Sequence, residues 1–115
     1  MGKGIEKRIY RKWGSGTREL WVKIDESGRG VLETPNLSLG LSSSRDVARL
    51  NEAISEAKVT GSASFIRDDG RPLTVWRGKD GSINIQGVSK SRIHFESMDD
   101  VAKLQRLLHE HFEDK

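Results

Sequence analysis

A stretch that occurs twice constrains this chain more than any other feature. Residues 43–50 read Ser-Ser-Arg-Asp-Val-Ala-Arg-Leu, and residues 97–104 read Ser-Met-Asp-Asp-Val-Ala-Lys-Leu. Ser43, Asp46, Val47, Ala48 and Leu50 return as Ser97, Asp100, Val101, Ala102 and Leu104, each 54 positions later. Arg49 returns as Lys103 and Asn51 as Gln105. A fixed offset of this kind marks an internal repeat, and a repeat sets the architecture before any other argument. Each copy also has a local meaning. Serine followed three residues later by aspartate, ahead of an apolar run, resembles a capping box. The serine oxygen accepts from a free N–H of the first helical turn, and the carboxylate sits at the positive end of the helix dipole. Both copies therefore mark helix starts.

The segment before each copy matches as well. Ile5–Trp13 places Ile9, Arg11 and Trp13 on one side of an extended chain and Arg8, Tyr10 and Lys12 on the other, which reads as a strand. After Gly14-Ser15-Gly16, a second strand alternates Leu20, Val22 and Ile24 with Trp21 and Lys23. Ser27-Gly28-Arg29-Gly30 punctuates a hairpin. A short third strand begins at residues 31–33 and is interrupted by Pro35-Asn36. Leu37, Leu39 and Leu41 mark a fourth. Helix one is expected over about residues 45–57, with Val47, Leu50 and Ile54 as its apolar stripe. The second half repeats the plan. Its strands are expected over residues 59–66 and 73–77, then around Ile83 and Ile85 and around Ile93 and Phe95. Helix two is expected over about residues 98–112. Leu73, Val75 and Gly81 match Leu20, Val22 and Gly28 at an offset of 53. Residues 1–4 are expected to be a disordered lead-in.

The expected fold is α+β: tandem β4-α repeats, about residues 5–58 and 59–112, forming one pseudo-twofold domain over residues 1–115 with antiparallel sheets and two helices. A half of this size buries only about 60% of its unfolded surface and is marginal alone, so the halves should share a core.

Composition narrows the function. No apolar run reaches the ~18–20 residues that span a bilayer, and no signal-peptide core follows the basic N-terminus. A cytoplasmic location is expected, nucleoid-associated and nuclear settings being compatible, with no membrane partner. The chain has no cysteine, which removes disulfides, thiolate chemistry and cysteine-based metal sites. Formal net charge is +3, but its distribution says more. Residues 1–24 hold seven cations against two acids, and residues 93–115 hold three against six. The first region suits a polyanion and the last does not.

A search for catalytic groups finds little. His94 lies on a strand between Ile93 and Phe95, as a structural or surface histidine would. His109 and His111 are two apart and diverge on a helix, without the spacing that puts two metal ligands on one face. Asp68-Asp69 and Asp99-Asp100 suit turns and helix starts rather than a metal loop. Ser42-Ser43-Ser44 is explained by capping, since no base partner is identifiable. No enzyme activity, cofactor or metal is expected.

Aromatic and basic residues are more informative. If Leu20 and Val22 are buried, Trp21 and Lys23 face out; if Leu73 and Val75 are buried, Thr74 and Trp76 face out. Each half thus offers an outward tryptophan near cations. Single strands are held by such platforms along a cationic groove, at about 1–3 kcal/mol per stacked base. The alternatives, in order, are that the same tryptophans pack against a helix or the other half, or form a surface for a protein partner.

A strand-strand-strand-strand-helix unit used twice resembles the single-stranded-DNA-binding superfamily of the transcriptional positive coactivators and the plant Whirly proteins. The basic-glycine-isoleucine-serine-leucine lead into the coactivators' helix is echoed by Leu39-Gly40-Leu41-Ser42. The second copy, Ser91-Arg92-Ile93-His94-Phe95, lacks the glycine, and the Whirly lysine-glycine-lysine-alanine signature is absent. A twofold repeat of the TATA-binding-protein kind would show similar alternation. The resemblance implies a single-stranded nucleic-acid-binding protein, for DNA or RNA, largely sequence-independent, of use as an accessory factor in transcription or DNA maintenance. It would act as a pseudo-dimer within one chain or as a homodimer. The candidate contacts are Arg8, Tyr10, Arg11, Lys12, Arg18, Trp21, Lys23, Arg29, Arg71, Trp76, Arg77, Lys79, Lys90 and Arg92. The alternative is a protein–protein interaction module or regulator that uses an exposed aromatic sheet face.

Overall fold

Alternation in the sequence becomes two antiparallel meanders. The computed structural model describes residues 4–113, with side chains for residues 4–110. Most of the expected lead-in, residues 1–3, and the His111 side chain lie outside the described residues. Strands β1 (Ile5–Trp13), β2 (Gly16–Ile24), β3 (Gly30–Thr34) and β4 (Leu37–Leu41) pair in chain order as one sheet. Strands β5 (Ser62–Ile66), β6 (Pro72–Arg77), β7 (Ile83–Gln86) and β8 (Ile93–Phe95) pair in chain order as the second. Helix α1 (Ser44–Thr60) follows the first sheet and α2 (Met98–Glu113) the second. The architecture is the α+β, tandem four-strand-plus-helix plan that the repeat implies.

One boundary differs. Residues 59 and 60, expected in a strand, extend α1 by a further turn. Gly61 takes φ +100° and donates its N–H to the Ala57 carbonyl at 2.9 Å. A left-handed glycine just past the last turn satisfies orphan carbonyls and ends the helix there, overriding the β preference of Val59 and Thr60. The β2–β3 hairpin depends on glycine for a second reason. Gly28 has φ +96°, and a Cβ there would lie 2.5 Å from the Ser44 Cβ at the start of α1.

Each helix mainly covers the other half's sheet. α1 lies on β5 and β6, while α2 lies on β1. Leu20, Val22, Leu50, Ile54, Val75, Ile85, Phe95 and Leu104 are fully buried in one cluster drawn from both halves. Burying a side chain of this size contributes about 1.5–3 kcal/mol, and here much of that burial requires the partner half.

Reciprocal contacts show the twofold relation directly. The Arg11 Nη1 donates to the His94 carbonyl at 2.6 Å, and the Arg67 Nη1 donates to the Gly40 carbonyl at 2.8 Å. The Lys12 N–H donates to Asp100 Oδ2 at 2.9 Å, and the Asp68 N–H donates to Asp46 Oδ1 at 3.1 Å. Gly40 and His94 are 54 positions apart, as are Asp46 and Asp100. An interface in which residue i meets j while j meets i is the mark of a twofold axis. That axis passes between Asn51 and its own equivalent, Gln105, whose Nε2 donates to the Asn51 Oδ1 at 3.1 Å.

Candidate nucleic-acid interface

On the outer face of the first sheet, register sets Arg8 opposite Trp21 and Tyr10 opposite Glu19. Trp21 points away from the core as expected, but it is half-buried. The Arg8 guanidinium lies 4.8 Å from the centre of its ring and the Lys23 ammonium 5.8 Å. Acids hold both cations there: Arg8 pairs with Glu19 at 2.8 Å and Lys23 with Glu33 at 3.2 Å. The Glu19 hydrogen bond raises the Arg8 pKa further above its usual value. Tyr10 remains 56% exposed.

The second sheet is different. Trp76 on β6, Asn84 on β7 and His94 on β8 are directly opposite one another. Adjacent strands are about 4.8 Å apart, so Trp76 and His94 lie roughly 10 Å apart across β7. Alternation puts all three on the outer face, because Val75, Ile83, Ile85, Ile93 and Phe95 are fully buried on the inner one. The row continues onto β1, where Trp13 meets the His94 ring edge-on at 4.9 Å. Asn84 organises the middle of it. Its Oδ1 accepts from Arg92 Nε at 3.0 Å and lies 2.7 Å from His94 Nδ1. Lys79, Asp80 and Ser82 line the adjoining hollow with Trp76 and Arg92; the Ser82 hydrogen bond holds the Asp80 carboxyl below the usual carboxylate range.

At the Trp13 end the row opens into a cleft of about 330 Å3 between the β1–β2 hairpin, the β3–β4 turn and the β7–β8 loop. Arg11, Trp13, Arg18, Lys90 and Arg92 line it, together with Thr34 and its neighbours through Leu37, and no acid does. Trp13 is 36% exposed, and the Arg18 guanidinium lies 5.5 Å from its ring centre.

These positions sort the candidates from the sequence. Arg18, Lys90 and Arg92 converge on the cleft, and Trp76, Lys79 and Arg92 on the hollow beside it. Arg8, Tyr10, Trp21 and Lys23 form a separate group on the first sheet, beside Lys12. Arg29 stands on the β2–β3 hairpin among Glu6, Asp25 and Glu26. Arg71 stands apart on the β5–β6 turn, and Arg77 donates to the Lys58 carbonyl near the end of α1 at 2.6 Å. Arg11 also lines the cleft but differs from the exposed cations. It is only 3% exposed, between the rings of Trp13 and Phe95, because it ties β1 to β8. Burial, and then the Arg18 charge, pull its pKa below the usual value. Asn84 and His94 were missed as a pair. The matching patterns Ile83-Asn84-Ile85 and Ile93-His94-Phe95 carry the signal, once β7 and β8 are paired.

The chain matches no family model, no curated protein and no solved structure. Among the described residues no helix is long and apolar enough to cross a membrane, and no group of His, Asp or Glu gathers as a metal site.

Proposed function

We propose that this protein binds single-stranded nucleic acid, DNA or RNA, largely independently of sequence, along the row from Trp13 to Trp76. The observation that carries the reading is the coincidence of the exposed Trp13 and the half-buried Trp76 with Arg18, Lys79, Lys90 and Arg92 along adjoining hollows that share Arg92. Bases would stack on the two indoles while the cations neutralise phosphates, the arrangement by which single strands are held without base readout. The resemblance to the coactivator and Whirly superfamily points the same way. The first sheet's outer face suits this role less, since acids already occupy its cations.

Fluorescence polarisation with oligo-dT, oligo-U and a duplex, each at two salt concentrations, tests the reading. The single strands should bind tightly at low salt, weaken as salt rises, and outcompete the duplex. Absence of binding at low salt would overturn it and favour the protein-docking alternative, with the exposed Tyr10 and the half-buried Trp21 on the docking face.

A further inference from the structure

The pseudo-twofold relation makes the Trp13 cleft comparable with its own counterpart, and the two are unlike. Each nitrogen of Arg67, the equivalent of Arg11, has a hydrogen-bond partner. Its Nε donates to the Arg71 carbonyl at 3.2 Å, its Nη1 to the Gly40 carbonyl at 2.8 Å, and its Nη2 to the Pro72 carbonyl at 3.4 Å. The counterpart cleft measures about 110 Å3 and includes Asp69. Arg11 is equally buried, yet its Nε has no hydrogen-bond partner. Among the described residues, none of Arg11, Arg18, Lys90 and Arg92 has a carboxylate within 4.0 Å. Four cations and no acid line the cleft, and although the charge of Asp100 acts on the buried Arg11, their summed field favours an anion from outside.

Resting on the single-strand reading above, we propose that the Trp13 cleft seats the phosphorylated end of the strand, a terminal phosphomonoester. An internal phosphodiester carries one negative charge and must leave the cleft in two directions. A terminal phosphate carries about −1.5 to −2 at pH 7 and three strong acceptor oxygens, and leaves in one direction only. Three loops surround the cleft, which suits an end. The terminal base would lie on the exposed part of Trp13, with its phosphate among Arg18, Lys90 and Arg92 and in reach of the charge of Arg11.

The test compares oligo-dT carrying a 5′-phosphate, a 3′-phosphate or neither, labelled at the opposite end, against the full chain. One phosphorylated form should bind about tenfold more tightly than the plain one, the equivalent of one charge-assisted hydrogen bond. Thymidine monophosphate should displace it, and thymidine should not. The Arg18→Gln, Lys90→Gln double variant alters only exposed side chains and should bring the ratio close to one. Equal affinity for all three oligonucleotides would overturn the inference and leave the single-strand reading standing. Displacement by inorganic phosphate as effective as by the mononucleotide would also overturn it, as would a ratio unchanged in the double variant. No binding of any oligonucleotide would remove the single-strand reading itself.

Discussion

Trp13 and Trp21 each have two cations beside the ring, and they differ in what holds those cations in place. Two cations lie over the Trp21 ring, each fixed by a glutamate. Exposed cation–π contacts contribute about 0.5–1 kcal/mol apiece. A base would have to displace both, which offsets much of the 1–3 kcal/mol that stacking contributes. Beside Trp13 stand Arg11, buried and tied to β8, and the exposed Arg18, which no acid holds, while His94 meets the ring edge-on; a base would displace Arg18 without breaking an ion pair. Changing Trp13 or Trp76 to alanine should therefore weaken oligo-dT binding by about 1–3 kcal/mol each, while Trp21→Ala should change it little. Polarisation titrations of the three variants check this. A loss confined to Trp21→Ala would move the site to the first sheet. The sequence placed Trp21 and Trp76 outward from their alternating neighbours, which the sheets bear out. It left open which way Trp13 faces, because that depends on β1 meeting β8, a contact between distant residues.

At the scale of elements, the repeated Ser-x-x-Asp does two jobs. The Ser43 Oγ accepts from the Asp46 N–H at 3.2 Å, and the Ser97 Oγ from the Asp99 N–H at 3.2 Å. The carboxylate of Asp46 does not return to the cap residue; it accepts from the Ser42 N–H at 3.1 Å instead. Ser97→Ala should cost about 1 kcal/mol, read as a lowered urea midpoint, and Ser43→Ala at least as much. Ser43 is also hydrogen-bonded to Asp68, a bond that, ahead of Arg45 and Arg49, holds the Asp68 carboxyl below the usual carboxylate range. An unchanged midpoint for the Ser97 variant would contradict the capping role. The second job belongs to the aspartates, which tie the halves together. Asp100→Ala strands the Lys12 N–H and should cost about 1–3 kcal/mol, more than Asp100→Asn, which keeps an acceptor. Helix starts were legible because capping is local. The cross-half ties were not, since Lys12 is 88 residues from Asp100. A two-residue difference in loop length also puts Arg11 and Arg67 at an offset of 56, outside the repeat's register.

For the whole molecule, a net charge of +3 says less than where the cations have no acidic partner. The basic N-terminal region read from the sequence divides between two surfaces. Arg8 and Lys23 are neutralised on the first sheet, whereas Arg18 joins Lys90 and Arg92 from the far half of the chain. Only the folded junction of the halves assembles that set, and its counterpart across the axis is smaller and contains an acid. The repeat supplies the frame, and departure from symmetry supplies the site. The central claim is that these cations, which no acid neutralises, hold the phosphates of a single strand. The most direct measurement is the salt dependence of oligo-dT binding for the wild type and for Arg18→Gln, Lys90→Gln, Arg92→Gln. Log affinity should fall linearly with log salt concentration, and the triple variant's slope should be shallower by about 2 units, at roughly 0.7 per lost contact on a single strand. Equal slopes for the two proteins, with binding intact, would contradict the account.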